Sequence, residues 1–342
     1  MTDAAAPDPS AEGLPPPDLP LPDLSSEDLP AEFALIARHF RPLAGPGALG
    51  LGDDAAVFAP PPGRELVVAA DAMVEGVHFL PADPPGLVAR KLLRTNLSDL
   101  AAMGAAPLGY LMTVSAPRST PESFFAAFAA GLAADQAEFG LALLGGDTTS
   151  TPGPVSLSLT ILGTVAPGRA LRRNGARPGD GLWVSGTIGD GALGLLAARG
   201  EIADPDGFLA GRYHLPRPRL ALGAAAVGLA HAAMDVSDGL VQDTGHLCRG
   251  AGLSAVIEAG RVPLSGPARA AGRLELCLTG GDDYELLLAV PEAAEAALSA
   301  AAASLGGVTR IGRFVAGPPQ VRVLGPDGTP LALGRPGWSH FG

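Results

Sequence analysis

The chain has 342 residues, 47% of them hydrophobic and 17% charged, which is enough for two domains with sizeable cores. Its formal net charge of −12 argues against a nucleic-acid-binding surface. No apolar run reaches the roughly 18 residues that a membrane helix needs, and the acidic, proline-rich start is unlike a signal peptide. Cys248 and Cys277 lack the spacing of a disulfide framework or zinc site, so we expect a reduced, cytoplasmic location.

Composition also divides the chain along its length. Residues 1–30 are rich in proline and aspartate and hold no aromatic residue, which predicts a disordered tail. We expect an N-terminal domain over 31–166 and a C-terminal domain over 167–342. The link between them is rich in proline, glycine and arginine and includes Arg173. Its arginines are either a solvated linker or a clamp on a phosphate group, and we favour the clamp.

A short helix near residues 33–40 is followed by two apolar runs around Pro60-Pro61-Pro62-Gly63. This pattern predicts a β-hairpin in which Asp54 lies opposite Asp71. Directly opposed strand residues have Cβ atoms about 5 Å apart, so the two carboxylates would repel each other unless a cation lay between them. Mg²⁺ prefers such oxygen ligands. The alternative is that both are solvated residues at strand ends.

The next predicted element is a helix over residues 87–104. Leu92, Asn96, Asp99 and Met103 recur at steps of four, three and four, and therefore share one face. An amide and a carboxylate on an apolar face are costly unless something binds them. An edge of the helix exposed to water is the alternative, and we favour a bound ligand.

A strand over 108–116 and a helix over 121–139 come next. A further strand over 141–149 then runs into the turn Gly145-Gly146-Asp147, and another strand covers 155–165. Glycines let the backbone approach a ligand closely and supply N–H donors, while the aspartate can ligate a metal. A plain tight turn would need only the glycines.

The second half of the chain repeats this alternation of strands and helices. Asp235-Val236-Ser237-Asp238-Gly239 leads into a helix, and Gly281-Asp282-Asp283-Tyr284-Glu285 precedes a strand. The second motif echoes the Gly-Gly-Asp turn of the first half and suggests that the two halves are related. Periodicity predicts strands over 181–185, 253–258, 286–290 and 308–315, and an alanine-rich helix over 218–233.

The residue types in these motifs favour magnesium and nucleotide chemistry. Lys91 is the only lysine and stands in Ala89-Arg90-Lys91-Leu92-Leu93, so the chain has no P-loop. The first motifs contain one histidine, His78, whereas a hydrolytic zinc site usually has several histidine ligands. Many carboxylates, glycine turns and an arginine-rich link are instead typical of Mg²⁺-dependent phosphoryl transfer.

Six motifs in this order are highly specific, and with them the chain closely resembles the thiamine-monophosphate kinase family. That family belongs to a superfamily with aminoimidazole ribonucleotide synthetase and selenophosphate synthetase. The motifs are Gly52-Asp53-Asp54-Ala55-Ala56, Asp71-Ala72-Met73-Val74-Glu75-Gly76-Val77-His78-Phe79, Asn96-Leu97-Ser98-Asp99-Leu100-Ala101-Ala102-Met103-Gly104, Gly145-Gly146-Asp147-Thr148-Thr149, Asp235-Val236-Ser237-Asp238-Gly239-Leu240 and Gly281-Asp282-Asp283-Tyr284-Glu285-Leu286.

The resemblance implies a mixed α/β fold of the α+β type with two domains. Two N-terminal domains, which bind ATP and Mg²⁺, would pair in a homodimer with a barrel-like sheet core. The implied reaction transfers the γ-phosphoryl group of ATP to thiamine monophosphate with the help of Mg²⁺. It needs no covalent intermediate on the enzyme and no nucleic-acid or membrane partner.

The resemblance also implies roles for individual residues. The expected Mg²⁺ ligands are Asp54, Asp71, Asp99, Asp147, Asp235 and Asp238. The expected ATP contacts are Gly146, Asp147, Arg173 and Ser237. The expected contacts with thiamine monophosphate are His78, Asp282 and Trp338.

The chain departs from the family pattern at two places that bear on the site. Ala69 and Ala70 stand where the family often has Ser-Thr, so side-chain oxygens are lost there. Asp282 stands where the family commonly has Glu, so this carboxylate is shorter. Two alternatives stay open: another ATP-using member of the superfamily, and a catalytically silent nucleotide- or metal-binding scaffold.

Overall fold

The computed structural model describes residues 31–339, so the predicted disordered tail over 1–30 lies outside the described residues. Two β-sheets with helices packed against them make up the fold, which is a mixed α/β architecture as expected. None of the helices within residues 31–339 has both the length and the apolar character that crossing a membrane requires.

The first sheet and its helices come from the first half of the chain. Irregular helical turns at Ile36–Phe40, Arg41–Leu43 and Leu49–Leu51 precede the sheet. The regular elements are α1 (Ala31–Leu35), β1 (Glu65–Val74), α2 (Pro85–Ala102), β2 (Ala106–Ala116), α3 (Glu122–Phe139), β3 (Ala142–Ser150) and β4 (Ser156–Val165).

The first sheet has the strand order β1-β4-β2-β3, and one of its faces is covered by α2 and α3. Along β4, Leu157, Leu159 and Ile161 alternate toward this covered face and are buried, as the two-residue period of a strand requires. They pack with residues such as Leu97 and Phe128 from the helices. The opposite face carries no such helical layer within the described residues and exposes several apolar side chains.

The predicted hairpin around Pro60-Pro61-Pro62-Gly63 is wrong. Residues 52–64 are described by the structure and form no strand, and β1 pairs with β4, so that Leu159 lies opposite Asp71. The physical reason lies at the start of the first apolar run, where Gly50 and Leu51 have φ values of 61° and 55°, which do not fit an extended strand. The N–H of Val57 instead donates to the carbonyl of Gly47.

The second half of the described chain forms the second sheet and its helices. A short helical turn at Ala259–Arg261 follows β7. The other elements are β5 (Gly181–Ser185), α4 (Asp190–Ala198), α5 (Phe208–His214), α6 (Leu220–Ala226), β6 (Ala232–Asp235), α7 (Leu240–Ala251), β7 (Ser254–Glu258), α8 (Gly266–Ala271), α9 (Leu274–Thr279), β8 (Leu286–Val290), α10 (Glu292–Ala302), β9 (Val308–Val315) and β10 (Gln320–Leu324).

The strands predicted in this half are confirmed to within one residue, but the alanine-rich helix is shorter than expected. It ends at Ala226 instead of residue 233, because Gly228 adopts a φ of 86° that breaks the helix. Ala232 and Ala233 belong to β6 and are buried against β8. The short helix α5 had no predicted counterpart.

The second sheet brings the two late acidic motifs together. Its strand order is β10-β7-β9-β5-β8-β6, and β6 runs antiparallel to β8 with Asp235 opposite Leu286. The end of β6 therefore lies beside the start of β8. Backbone hydrogen bonds continue this pairing outside the strands. The N–H of Tyr284 donates to the carbonyl of Val236, and the N–H of Asp282 donates to the carbonyl of Ser237.

Candidate active site

A cleft of about 800 Å³ lies between the two sheets and is lined by residues from both halves of the chain. Nine of the residues singled out in the sequence meet there. They are Asp71, His78, Asp99, Arg173, Asp235, Ser237, Asp238, Asp282 and Trp338.

Four aspartates form the acidic part of this cleft, and they come from four different elements. Asp71 lies on β1, Asp99 in the last turn of α2, Asp235 at the end of β6 and Asp238 in the turn before α7. The carboxylate of Asp235 is buried and accepts a hydrogen bond of 2.7 Å from the hydroxyl of Ser98 on α2. This bond joins the two halves of the chain directly at the site.

The electrostatics of the cleft show that these carboxylates crowd one another. Burial, reinforced by the charges of Asp235 and Asp71, raises the pKa of Asp99 to about 8. Burial and the charges of Asp235 and Asp238 likewise raise the pKa of Asp71. Burial also raises the pKa of Asp235, while the charge of Arg173 acts in the opposite direction. Such a group of oxygen donors favours a bound cation.

The turn from Asp235 to Leu240 is fixed by a residue that the sequence did not single out. The carboxylate of Asp243 on α7 accepts hydrogen bonds from the N–H groups of Ser237, Asp238 and Gly239, at 3.0, 3.0 and 3.1 Å. Because all three donors belong to one turn, Ser237 and Asp238 are held in a single arrangement at the start of α7.

The C-terminal segment is tied to the same turn. The N–H of Trp338 donates to the carbonyl of Asp238 at 3.0 Å, and the side chain of Gln242 donates to the carbonyl of Trp338 at 2.6 Å. The indole of Trp338 lines the cleft and is about half exposed. Its backbone is therefore held at the site by bonds that do not involve its ring.

The loop before β8 presents alternate residues in opposite directions. Asp282 and Tyr284 line the cleft, whereas Asp283 and Glu285 are fully buried. Asp282 and Tyr284 have φ values of 69° and 51°, an unusual left-handed conformation for residues other than glycine. The hydroxyl of Tyr284 donates to one oxygen of Asp282 at 3.2 Å.

The buried members of this loop anchor it to the second domain. The carboxylate of Asp283 accepts the N–H groups of Gly189 and Gly191, at 2.7 and 3.0 Å, and thereby fixes the start of α4. Glu285 accepts hydrogen bonds from Ser185, Arg212 and Arg219. Residue type alone does not separate these structural acids from Asp282, to which only the family resemblance assigned a site role.

His78 closes the cleft on the side of the first sheet. Its Nδ1 accepts the N–H of Val74 at 2.9 Å, which holds the turn after β1 in place. Part of the cleft lining is apolar and suited to an aromatic ring rather than to phosphate. It includes Met73, Val77, Ala192, Leu195, Leu196 and Leu276.

Three expected site residues do not line this cleft: Asp54, Gly146 and Asp147. Asp54 is exposed and lies in the segment that precedes β1, outside any strand. Asp147 is exposed on β3, in the row of paired residues that contains Thr113 and Ser158. The neighbouring row holds the buried Met112 and faces the helices, so Asp147 belongs to the open face of the sheet. The roles expected for these three residues stay predictions.

Lys91 and Tyr284 line the cleft but were not predicted as site residues. For Lys91 a signal was available in the sequence, because it is the only lysine among 23 basic residues. For Tyr284 the sequence offered no signal beyond its place within the acidic motif.

Comparison with known families agrees with this architecture. Residues 52–165 match the N-terminal domain of AIR synthase related proteins, and residues 177–324 match their C-terminal domain. Together these matches cover well over half of the chain. The two sheets and the acidic cleft between them thus define an AIR synthase related protein.

Individual relatives narrow this class. Thiamine-monophosphate kinase of Caulobacter vibrioides is 48% identical over 324 residues, which cover 91% of each chain. The solved thiamine-monophosphate kinase of Stenotrophomonas maltophilia is 40% identical, with a TM-score of 0.75 over 82% of this chain and 91% of that one. A solved complex of AaThiL with AMPPCP and TMP is 31% identical, with a TM-score of 0.73 over 85% and 91%. The chain belongs to the thiamine-monophosphate kinase family.

Proposed function

We propose that this protein transfers the γ-phosphoryl group of ATP to thiamine monophosphate. An oxygen of the acceptor phosphate forms the new bond to the γ-phosphorus while the bond to the β,γ-bridging oxygen breaks, which yields thiamine diphosphate and ADP. The observation that carries the proposal is the convergence of Asp71, Asp99, Asp235 and Asp238 in one cleft beside an apolar wall. The relatives named thiamine-monophosphate kinase, and the complex with the ATP analogue AMPPCP and TMP, support it.

The donor set of the cleft fits Mg²⁺. Its carboxylates are hard oxygen ligands. Burial, together with repulsion from neighbouring carboxylates, raises the pKa values of Asp71, Asp99 and Asp235, and a divalent ion would relieve that repulsion. Asp71, Asp99, Asp235 and Asp238 would hold it. Bound Mg²⁺ neutralises phosphate charge, so that two anionic substrates can approach each other.

The remaining residues of the cleft bind and orient the two substrates. Arg173 supplies a guanidinium that suits phosphate oxygens, and Ser237 supplies a hydroxyl from the turn that Asp243 fixes. On the acceptor side, Asp282 and His78 provide polar contacts and Trp338 an aromatic face. The catalytic effect comes from positioning and charge neutralisation, and no nucleophilic side chain takes part.

A homodimer is proposed for the open face of the first sheet. Leu66 and Val68 on β1 and Leu111 on β2 are 47, 60 and 41% exposed. Pairing these faces from two copies would bury them and complete a barrel-like core. Light scattering at micromolar concentration should give twice the mass of one chain, and a single-chain mass would contradict the dimer. The cytoplasmic location stays a prediction.

Product analysis tests the proposed reaction directly. The purified protein is incubated with ATP, Mg²⁺ and thiamine monophosphate, with free thiamine in a parallel reaction as the control. Thiamine diphosphate should form in the first and no phosphorylated product in the second. Turnover of ATP with another acceptor would favour a different member of the superfamily, and no ATP turnover would favour a silent binding scaffold.

A further inference from the structure

The only lysine of the chain lies at the meeting point of three elements of the cleft. Lys91 is on α2, and its side chain is only 3% exposed. Its Nζ donates to Oδ2 of Asp282 at 2.8 Å and to the carbonyl of His78 at 3.2 Å. It also lies 3.7 Å from the centre of the ring of Tyr213 on α5.

These contacts satisfy two N–H donors of the ammonium group and place its charge over an aromatic ring. A lysine ammonium has three N–H donors and no acceptor. Two of these donors bind the oxygens of Asp282 and His78, and the ring of Tyr213 presents its face, which attracts a cation, to the ammonium group. Lys91 therefore contacts the two residues expected to bind the acceptor, His78 and Asp282, while its own charge is already satisfied.

The identity of this residue is informative because the chain otherwise uses arginine for its fixed positive charges. Arg90 and Arg94 lie on the same helix and pair with Asp135 and Glu138 on α3. A guanidinium is a planar fork, whereas an ammonium is a compact group whose donors point in three directions. The arrangement around position 91 needs the second geometry.

The carboxylate that Lys91 holds belongs to a strained part of the chain. Asp282 has a φ of 69°, and its side chain is about one third exposed in the cleft. One of its oxygens is held by Lys91 and the other accepts the hydroxyl of Tyr284. With both contacts in place, the side chain of Asp282 is confined to one orientation.

We propose that Lys91 is a positioning residue for the acceptor side of the cleft. It fixes the carboxylate of Asp282 and the turn of His78 in the arrangement that binds thiamine monophosphate, and it does so across the two domains. The inference rests on the proposed function, because it assigns these two residues to the acceptor.

The test compares Lys91→Met and Lys91→Arg with a control on the same helix, Arg90→Met. The control removes one positive charge from the adjacent position, but Arg90 does not line the cleft. Lys91→Met should raise KM for thiamine monophosphate about tenfold, in the range expected for lost charge-assisted hydrogen bonds, and leave KM for ATP within about twofold. Lys91→Arg should show the same split to a smaller degree, because it keeps the charge but not the geometry. Arg90→Met should change neither constant.

A double mutant separates positioning from a general loss of structure. If Lys91 acts through Asp282, adding Lys91→Met to Asp282→Asn should raise KM for thiamine monophosphate by much less than it does alone. If Lys91→Met does not fold, Lys91→Arg carries the same comparison.

Equal rises in both KM values, or the same split in Arg90→Met, would overturn the positioning role. The wild-type protein distinguishes this failure from failure of the proposed function. Thiamine diphosphate formation by the wild type with unchanged KM values in both Lys91 variants refutes only the role of Lys91. No thiamine diphosphate from the wild type refutes the function, and the inference falls with it.

Discussion

Two buried acids, Asp235 at the end of β6 and Glu285 before the start of β8, lie side by side, and their surroundings differ. Glu285 is fully buried and is met by Arg212 at 3.0 Å, by Arg219 at 2.6 Å and by the hydroxyl of Ser185 at 2.6 Å. Asp235, next to it across the strand pair, instead faces Asp71, Asp99 and Asp238 in the cleft. Arg173, which opposes the rise in the pKa of Asp235, is exposed on the linker.

The difference shows which acids are structural and which are available to a ligand. In a buried ion pair the carboxylate is neutralised by cationic side chains of the protein itself. Removing one partner leaves an uncompensated buried charge. Among the described residues, Asp71, Asp99, Asp235 and Asp238 have no such ion pair. Burial, reinforced by repulsion from neighbouring carboxylates, raises the pKa values of Asp71, Asp99 and Asp235, as is often seen at functional sites. The same residue types thus serve opposite purposes a few residues apart.

Removing a cleft acid should have the largest effect on activity and the smallest on stability. Asp235→Asn is expected to lower kcat by about 10²- to 10³-fold, as loss of transition-state charge stabilisation does, because Asp235 is a proposed ligand for Mg²⁺. The melting temperature of the metal-free protein should stay the same or rise, because one repelling charge is gone. Steady-state kinetics and thermal unfolding measure both quantities. A rate close to that of the wild type would contradict the proposed cation site.

Removing the structural acid should reverse this pattern. Glu285→Gln removes the carboxylate that pairs with Arg219 and the nearer of the two that pair with Arg212, which keeps Asp190 at 4.0 Å. Breaking a buried ion pair of this kind costs about 3–5 kcal/mol. Urea unfolding should show this loss of stability. The folded fraction should keep its KM for ATP, since Glu285 does not line the cleft. Unchanged stability together with lost activity would place Glu285 among the functional acids.

The comparison also predicts how pH and Mg²⁺ act together on stability. The pKa of Asp99 is raised to about 8, so the folded metal-free protein binds protons that the unfolded chain releases near pH 4. Below about pH 4 the contribution of Asp99 to the stability of the folded metal-free protein is fully present, and it is lost as the pH rises through about 8. Mg²⁺ competes with the protons, so its stabilising effect should grow with pH.

Thermal unfolding at pH 6 and pH 8, with and without Mg²⁺, checks this expectation. A free concentration of 100 times Kd would add about 2.7 kcal/mol. Asp99→Asn is the control, because it removes one group with a raised pKa and should reduce the pH dependence without abolishing it. Burial also raises the pKa values of Asp243 to about 7 and of Asp283 to about 8, so the metal-free curve alone does not isolate the cleft. An Mg²⁺ effect equal at both pH values would refute the competition.

Much of this comparison could be predicted from the sequence, and the rest depends on contacts between distant parts of the chain. Alternating and helical periodicity is local, so α2, β5 and β8 were predicted to within two residues. The partner of β1 was not, because the choice of β4, about ninety residues away, is made by the whole sheet. Asp282 and Asp283 are adjacent residues of the same type, so local pattern does not distinguish them and only the family resemblance singled out Asp282. The loop conformation directs Asp282 to the cleft and Asp283 to Gly189 and Gly191.

The last prediction concerns Trp338 and has the smallest expected effect. Its indole lines the cleft near the acidic turn and is 46% exposed, while its backbone is bonded to Asp238 and Gln242. An aromatic face over a cationic ring contributes about 0.5–2 kcal/mol, so Trp338→Ala should raise KM for thiamine monophosphate by roughly two- to thirtyfold and leave KM for ATP nearly unchanged. The melting temperature should hardly move, since the backbone bonds that anchor the segment survive the substitution. The rival interpretation is that the ring merely anchors the tail to the domain. Equal rises in both KM values with a lower melting temperature would favour that anchor. In that case Trp338→Phe, which keeps an aromatic face, should restore the melting temperature and affect the KM values for thiamine monophosphate and ATP equally.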